Sequence, residues 1–425
     1  MIPPQDETRL RAAASGVLPN GKPVVVNTDG TVAVVGPISV PDSAGTPVVF
    51  ENAAVGKTSA AYDANAEKVV IAYRDDGNSY YGTVVVGTVS GTSISFGSPV
   101  LFASAFVDFV SAIYDANAQK VVIVYEDLDN GSYGTAVVGT VSGTSISFGS
   151  AVVFESATCD YISATYDASA QKAVIAYRDD GNSNYGTAIV GTVSGTNISF
   201  GSAVVFESAT IYNTSATYDV NAQRVVIAYR DNGNSNYGTA IVGTVSGTNI
   251  SFGSAVVFES ATTVEISSIY DANAQKVVIA YRDSGNSNYG TAIVGTVSGT
   301  SISFGSAVVF ASAAISETST AYYTANNKIV IVYSESGGKA IVGTVSGTSI
   351  SFDSAVVFET GNVPNRSSIY DTNAEKVVIA YKHNNNSNYG TAVIFQVAST
   401  SNNLTSENYI GMSGGGVDYI SATKG

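Results

Sequence analysis

Histidine, cysteine and tryptophan are nearly absent from this sequence. Its 425 residues include one histidine, one cysteine and no tryptophan. The single cysteine, Cys159, excludes an intrachain disulfide. The single histidine, His383, confines any Ser-His-Asp or Cys-His arrangement to its neighbourhood, and no Gly-x-Ser-x-Gly motif accompanies it. We therefore expect no catalytic residues and no enzymatic activity, and we interpret Cys159 as an inert thiol in a loop.

Charged residues are scarce and mostly acidic. They make up 12% of the chain, with a net charge of −15, whereas about 25% is usual for a soluble domain. No basic patch is visible, which argues against nucleic acid and anionic membranes as partners. Ser, Thr, Asn and Gly supply the polar character instead.

Long apolar runs are also missing. No run reaches the roughly 18 residues of a transmembrane helix, so we expect no membrane insertion. The opening MIPPQDETRLRAAASG lacks the apolar region of a secretory signal, which predicts synthesis without a signal peptide.

Seven copies of one unit fill most of the chain. The first five steps between copies are 52 residues long and the last is 48, because copy six reads SESGGKA where its neighbour reads RDSGNSNYGTA. Repetition at this period is typical of solenoids and propellers. The tyrosines that open the copies are Tyr62, Tyr114, Tyr166, Tyr218, Tyr270, Tyr322 and Tyr370.

Each copy predicts four β-strands, A to D, and no helix. The apolar, β-branched run from Val225 to Tyr229 indicates a strand buried on both faces, and the tyrosine that ends it predicts packing between blades. A second strand, 238–245, contains Gly243, which predicts the close approach of another backbone. Short apolar segments before Tyr218 and up to Phe258 supply the others. Four antiparallel strands in about 50 residues are the signature of a propeller blade.

The two ends of the repeat array favour a ring over a solenoid. A solenoid needs atypical end caps, but copies one and seven resemble the middle ones. The last copy ends near Ala398 without a D strand, and Gly45 to Glu51 match the missing one. The predicted fold is therefore all-β: a seven-bladed β-propeller over residues 45–398, four antiparallel strands per blade, closed by an N-terminal strand that completes the last blade.

Two shorter segments flank the predicted ring. Residues 1–44 are interpreted as an N-terminal attachment or linker segment, with a β-hairpin centred on Asp29-Gly30. Residues 399–425 form a C-terminal tail.

The turns between strands B and C offer little for metal binding. An arginine recurs there beside an aspartate, and we expect an Asp–Arg or turn-capping role for Arg74, Arg178, Arg230 and Arg282. A calcium loop needs several acidic ligands at alternating positions, and each turn holds only one or two. Asx turns explain the Asp and Asn residues equally well. We predict no metal and no cofactor.

Variation among the copies is concentrated in six residues between strand D and the next strand A. Loop sequences can vary without functional consequence, but the sequences of the A–B and C–D turns are nearly constant among the copies. Strand direction places the D–A and B–C connections on one face, which favours a recognition face. The variable segments are Ala53 to Thr58, Ala105 to Val110, Ala157 to Ile162, Ala209 to Thr214, Ala261 to Ile266, Ala313 to Thr318 and Gly361 to Arg366.

Aromatic residues in neighbouring variable loops predict a ligand-binding arc of exposed rings. Aromatic rings stack on sugars, and carboxylates and amides hydrogen-bond to hydroxyls, although the same set would suit a protein surface. The other loops carry Glu265, Glu317, Asn365 and Arg366. The candidate ligand-binding residues are Phe106, Asp108, Phe109, Asp160, Tyr161, Tyr212 and Asn213.

The chain resembles the propeller repeats of tail-fibre-like virion proteins of tailed bacteriophages. The resemblance lies in the tandem repeat sequence YDANAQKVVIAYRDxGNSNYGTAVVGTVSGTSISFGSAVVFESA and in the flanking segments LPNGKPVVVNTDGTVAVV and LTSENYIG. It implies a virion protein, part of an extracellular particle and made in the host cytoplasm, that recognises a host surface glycan or protein receptor. It also implies contacts with other tail proteins through the termini, and it leaves open whether the protein forms a homo-oligomer.

Two other functions remain open. The propeller could be a structural virion component that packs against neighbouring proteins. A glycan-cleaving enzyme would need two carboxylates about 5–10 Å apart, and the acids of the variable loops are scattered over different blades.

Overall fold

The computed structural model describes strands at residues 13–14, 24–26 and 31–34 and the continuous stretch 38–401, with side chains from residue 40 to residue 399. The chain divides into two compact units, Asp42–Val397 and a second formed from Met1–Pro41 and Ala398–Gly425. No helix of the described part is long and apolar enough to span a membrane. The 3-10 helices of the first unit are Leu128–Asn130, Asp180–Asn182 and Ser284–Asn286.

A central B strand and a C strand pair antiparallel in every repeat, which we number 1 to 7 after the seven tyrosines. This confirms the predicted all-β architecture of repeated antiparallel strands. The B strands are Lys68–Asp75, Lys120–Asp127, Lys172–Asp179, Arg224–Asp231, Lys276–Asp283, Lys328–Ser334 and Lys376–His383. The C strands are Tyr81–Ser90, Tyr133–Ser142, Tyr185–Ser194, Tyr237–Ser246, Tyr289–Ser298, Gly338–Ser346 and Tyr389–Gln396.

Most connections between repeats are strands rather than the predicted D–A loops. The first half of each of these bridging strands pairs with the C strand of the preceding repeat, and the second half pairs with the B strand of the next. The loop prediction, including Cys159 in a loop, is wrong here because most of this backbone, including Cys159, is paired with a neighbouring strand. The bridging strands into repeats 1 to 5 are Val48–Asp63, Val100–Asp115, Val152–Asp167, Val204–Asp219 and Val256–Asp271.

The connections into repeats 6 and 7 are interrupted. Val308–Ala314 is followed by Ser316–Tyr323, and Val356–Glu359 is followed by Ser367–Asp371. Only the last connection contains a true loop, which includes Pro364, a residue without a backbone N–H to donate to a strand partner.

The predicted fourth strand is divided in two. In repeat 4 the outer segment Asn249–Phe252 pairs with one half of the C strand, and the following bridging strand pairs with the other half. A Cβ atom on Gly253, between them, would lie 1.8 Å from the carbonyl oxygen of Thr300 in the next repeat. The outer segments are Ser93–Phe96, Ser145–Phe148, Asn197–Phe200, Asn249–Phe252, Ser301–Phe304 and Ser349–Phe352.

The close approach predicted at Gly243 involves side chains instead of a backbone. A Cβ atom there would lie 2.8 Å from Ile250 Cδ1 and 3.0 Å from Phe252 Cε1. The prediction was wrong because this strand is covered by the apolar residues of its own outer segment.

The core lies between neighbouring repeats. Tyr229, at the end of the B strand of repeat 4, is fully buried, and its ring lies 5.3 Å from that of Phe206. Its hydroxyl donates to Glu207 Oε2 at 3.0 Å. The same hydrophobic cluster includes Val174 and Val190 of repeat 3. The predicted packing of these tyrosines between repeats is therefore confirmed.

The N-terminal strand supplies the outer strand of repeat 7. Val48 pairs with Ala392, and Val49 pairs with Thr391. The strand Ser43–Ala44 pairs with the end of the same C strand. Val204 and Val205 pair with the C strand of repeat 3 in the same register.

Matching hydrogen bonds join one repeat to the next. The backbone N–H of Asn117 in repeat 2 donates to the hydroxyl of Tyr166 in repeat 3 at 3.1 Å. The equivalent N–H of Asn373 in repeat 7 donates to Tyr62 of repeat 1 at 3.3 Å. A contact of the kind that joins adjacent repeats therefore also joins the last repeat to the first.

The described residues of the second unit form short strands. Val24–Val26 pairs antiparallel with Thr31–Val34, on either side of the predicted Asp29-Gly30 turn. Ala13–Ala14 pairs parallel with Thr31–Val34, and Ile38–Val40 pairs antiparallel with Ser399–Ser401. The rest of the predicted C-terminal tail, 402–425, lies outside the described residues.

Candidate functional site

One residue in each connection between repeats has a left-handed backbone, with φ between 43° and 55°, and none of these residues is glycine. The left-handed conformation costs a non-glycine residue about 1–2 kcal/mol. The pairing register shifts at this point, as between Asp160 and Ser163. The bulge therefore sets the direction of one side chain per repeat. These residues are Lys57, Phe109, Tyr161, Asn213, Glu265, Glu317 and Asn365.

Three aromatic side chains of adjacent repeats form a continuous arc. The rings of Phe109 and Tyr161 are 5.1 Å apart, and those of Tyr161 and Tyr212 are 5.4 Å apart at an angle of 86°. These separations are in the range of favourable aromatic pairs. The sequence reasoning placed the three residues in one arc, and the structure brings them together.

Two arginines of the B strands flank the aromatic arc. The guanidinium carbon of Arg178 lies 5.1 Å from the ring centre of Tyr161 and 5.2 Å from that of Tyr212. Arg230 lies 4.2 Å from the ring centre of Tyr212. Tyr212 thus contacts two cations, and cation–π attraction holds its ring in place.

Asp108 and Asp160 are engaged in ion pairs. Asp160 pairs with Arg178, which also pairs with Asp180 at 2.6 Å. Asp108 lies 3.2 Å from Lys57 Nζ and accepts the N–H of Phe109 at 2.9 Å. Both were predicted to bind ligand hydroxyls. The structure places them where they orient the cations beside the arc.

Phe106 belongs to a different cluster. Its ring stacks on Tyr80 at 4.7 Å, and its N–H donates to Asp129 Oδ2 at 3.0 Å. The guanidinium of Arg74 lies over both rings. The structure therefore separates Phe106 from Phe109, and it adds the exposed Tyr80, which the sequence analysis did not select.

The seven candidate residues are half-buried rather than exposed. The expected patch of exposed aromatic rings is thus wrong for this arc, because the rings pack on one another and on arginine side chains. Each ring still keeps part of its surface accessible for a ligand.

A pocket of about 200 Å³ lies at this end of the strands. It is smaller than the roughly 300–1,000 Å³ of a drug-sized site, so it fits a group of monosaccharide size. The hydroxyl of Thr214 donates to the carbonyl oxygen of Tyr161, and that of Thr318 donates to the carbonyl oxygen of Glu265. The lining residues are Phe109, Tyr161, Ile162, Asn213, Thr214, Glu265, Ile266, Glu317 and Thr318.

Glu265 and Glu317 were left out of the predicted site, yet both line the pocket. Burial raises the pKa of Glu265, and the charge of Glu317 adds to the effect. The repeat could have indicated both glutamates. Asn213, Glu265 and Glu317 occupy the position of Tyr161 in the three following repeats. Among the described residues, no group of three or more His, Cys, Asp or Glu side chains could hold a metal.

A second pocket, of about 290 Å³, lies at the opposite end of the strands. It is formed by the nearly constant A–B turns of repeats 3 and 4 and the C–D turn of repeat 4. Ser169 is one of its lining residues, and its backbone N–H is bonded to Asp167 at 3.0 Å. This end supplies control positions for the first pocket.

Comparison with solved structures gives similarity at the level of fold. The chain is similar to the BP39L lectin from Burkholderia pseudomallei, with a TM-score of 0.59, 11% identity, and coverage of 83% of this chain and 98% of that one. A protein of unknown function from Dyadobacter fermentans matches with a TM-score of 0.49, 12% identity, and coverage of 86% and 100%. Sqt1 from Saccharomyces cerevisiae matches with a TM-score of 0.48, 9% identity, and coverage of 81% and 84%. The sequence matches no protein-family model and no curated protein sequence.

Proposed function

We propose that this protein is a carbohydrate-binding protein that holds a sugar in the pocket beside Phe109, Tyr161 and Tyr212. The observation that carries the proposal is the aromatic arc. Two of its three rings sit at left-handed backbone positions.

The chemistry of the pocket suits a sugar. Accessible parts of the aromatic rings can stack on the apolar face of a pyranose. Asn213 and the two glutamates supply hydrogen-bonding groups for its hydroxyls. The BP39L lectin from Burkholderia pseudomallei has a similar fold, and this agrees with the proposal.

The proposal includes a closed ring of seven blades. Three contacts between repeat 7 and repeat 1 support closure: the pairing of Val48 with Ala392, the bond from Asn373 to Tyr62, and the approach of Gly45 to Thr92. In such a ring the seven left-handed residues surround one mouth of the central channel. The aromatic arc would then occupy one side of that mouth.

The biological setting of the proposal is a bacteriophage virion. It rests on the resemblance of the repeats to tail-fibre-like proteins, and it makes the sugar part of a host surface receptor. Binding without cleavage is the proposed activity, and the termini would attach the protein to other tail proteins.

A structural virion component is the second candidate function, and one observation favours it. An apolar side chain on the outer half of each connection is 36% to 54% exposed at the same position of every repeat. Such a band could pack against neighbouring proteins. The residues are Val49, Leu101, Val153, Val205, Val257, Val309 and Val357.

A glycan array tests the proposal. We expect the combined variant Phe109→Ala, Tyr161→Ala and Tyr212→Ala to lose at least tenfold in affinity for the oligosaccharide that the wild type binds best, since each aromatic contact contributes about 0.5–1.5 kcal/mol. Circular dichroism should show that the variant keeps its fold.

The matched control changes the opposite end of the strands: Asn117→Ala, Ser169→Ala and Asn221→Ala. The Asn117 and Ser169 hydrogen bonds use backbone N–H groups, which alanine retains. The control should bind like the wild type. Loss of binding in the control, with full binding in the aromatic variant, would assign recognition to the other end.

A further inference from the structure

The arginines of the B strands fall into two groups. In repeats 1 and 3 the arginine pairs with an aspartate two residues later: Arg74 with Asp76, and Arg178 with Asp180, each at 2.6 Å. In repeats 4 and 5 the corresponding residues are Asn232 and Ser284. The partner carboxylate is therefore replaced by a neutral group in two adjacent repeats.

Arg230 and Arg282 form no ion pair with any residue in the part of the chain that the structure describes. The Nε atoms of both are buried and lack a hydrogen-bond partner there. Arg282 makes one long hydrogen bond, from Nη1 to the carbonyl oxygen of Ile315 at 3.5 Å. Both arginine side chains are half-buried, and a partly desolvated cation with so few polar partners favours the binding of an anion.

The contrast with Arg178 shows what the missing carboxylates do. Burial alone would lower the pKa of Arg178, but its bonds with Asp180 and Asp160 raise it. Burial lowers the pKa of Arg230, and the charge of Arg282 lowers it further. The charge of Glu265 acts in the opposite direction and raises the pKa of Arg230.

The geometry places Arg230 beside the aromatic arc and Arg282 at the equivalent position of the next repeat. Arg230 lies directly opposite Tyr212 in the strand pairing, and Arg282 lies opposite Val264 in the next repeat. The ring of Tyr212 is 4.2 Å from the guanidinium of Arg230 and restricts its orientation. A sugar stacked on the arc could reach both cations with a substituent on its ring.

We propose that Arg230 and Arg282 bind the anionic substituent of an acidic sugar, so that the carbohydrate recognised by this protein carries a carboxylate, sulfate or phosphate group. The inference rests on the proposed function and names the class of sugar. Guanidinium groups bind such anions in a bidentate way. The net charge of −15 repels polyanions in general, which would restrict anion binding to this local site.

The test uses a glycan array of matched pairs. The members of each pair differ by one acidic group: N-acetyllactosamine with and without sialic acid, the same disaccharide with and without a sulfate, and oligogalacturonate with its carboxylates free or methyl-esterified. We expect the wild type to bind an acidic member at least tenfold more tightly than its neutral twin. The sialylated, sulfated and uronate arms identify which anion is preferred.

Two variants remove the proposed anion site by different routes. Arg230→Gln with Arg282→Gln removes the cations. Asn232→Asp with Ser284→Asp gives repeats 4 and 5 the carboxylates that pair with the arginines of repeats 1 and 3. This double variant should not lose thermal stability. Both should lose the preference for the acidic member. Arg224→Gln removes the same charge at the other end of the same B strand, where its side chain bonds to Gly299, and should keep the preference.

Three results would count against the inference or its basis. Equal or tighter binding of the neutral twins by the wild type would overturn the inference and leave the proposed function standing. A preference retained in both double variants would also overturn it. Absence of binding to every glycan would overturn the proposed function, and the inference with it.

Discussion

Replacing Phe50 with alanine tests whether the N-terminal strand is an integral part of the repeat array. Phe50 is 7% exposed, and its ring lies 5.2 Å from Tyr73 and 5.7 Å from Phe96 of repeat 1. It also covers Gly390 of repeat 7, where a Cβ atom would lie 2.4 Å from the ring. The side chain thus packs on both the first and the last repeat.

Phe206 is the matched position in the middle of the array. It is 8% exposed, and its ring lies 5.3 Å from Tyr229 and 5.6 Å from Phe252. Truncation of a buried phenylalanine to alanine costs about 3–5 kcal/mol. Because the surroundings of the two rings match, Phe50→Ala and Phe206→Ala should each lower the free energy of unfolding by about 3–5 kcal/mol.

Chemical denaturation followed by circular dichroism measures both variants against the wild type. Similar losses would mean that the N-terminal strand contributes as much as an internal one, as a closed ring requires. A loss below about 1 kcal/mol for Phe50→Ala, beside the full loss for Phe206→Ala, would refute closure by this strand.

Two further predictions concern stability. Burial, followed by the charge of Asp160, raises the pKa of Glu126 to about 7 from an ordinary value of 4.5. The folded state therefore favours the protonated carboxyl group, and the free energy of unfolding falls as the pH rises from about 4.5 through 7. Glu126→Gln should therefore raise the free energy of unfolding by about 1–3 kcal/mol at pH 8 and leave it unchanged at pH 4, as measured by denaturation at both pH values; no difference at pH 8 would contradict this. A Cβ atom on Gly201 or Gly45 would lie 1.9 Å or 2.0 Å from a backbone carbonyl oxygen of the adjoining repeat. Gly201→Ala and Gly45→Ala should therefore each lower the free energy of unfolding by about 1–3 kcal/mol. The control Ser202→Ala, at an exposed position, should change it little in the same denaturation series.

The repeat architecture could be predicted because its signals are local. The apolar run from Val225 to Tyr229 and the turn residues on either side occur within one copy. The missing strand of the last copy and its match near Val48 required only a comparison along the chain. These features depend on residues that are close in sequence or identical between copies.

The bridging strands could not be predicted from local signals. Their hydrogen-bond partners belong to two different repeats. Within residues 209–214, which the sequence pattern indicates as a variable loop, Thr210 pairs with one repeat, and Ile211 and Tyr212 pair with the next. The left-handed backbone conformation could not be predicted either, since Lys57, Phe109 and Glu265 share no side-chain property that indicates it.

The candidate site was predicted in part. The arc of Phe109, Tyr161 and Tyr212 followed from the aromatic residues in the variable segments of adjacent repeats. The ion pair of Asp160 with Arg178 joins residues 18 positions apart, and nothing in the local sequence distinguishes a paired carboxylate from a free one. The raised pKa of Glu265 depends on burial, which only the folded chain defines.

Amide hydrogen exchange is the most direct test of the recognition surface. It would be measured for the protein alone and with the array oligosaccharide that it binds best. We expect slower exchange in residues 157–162 and 209–214, and unchanged exchange in the A–B turns at residues 167–172 and 219–224. Protection confined to those A–B turns would contradict recognition at the aromatic arc.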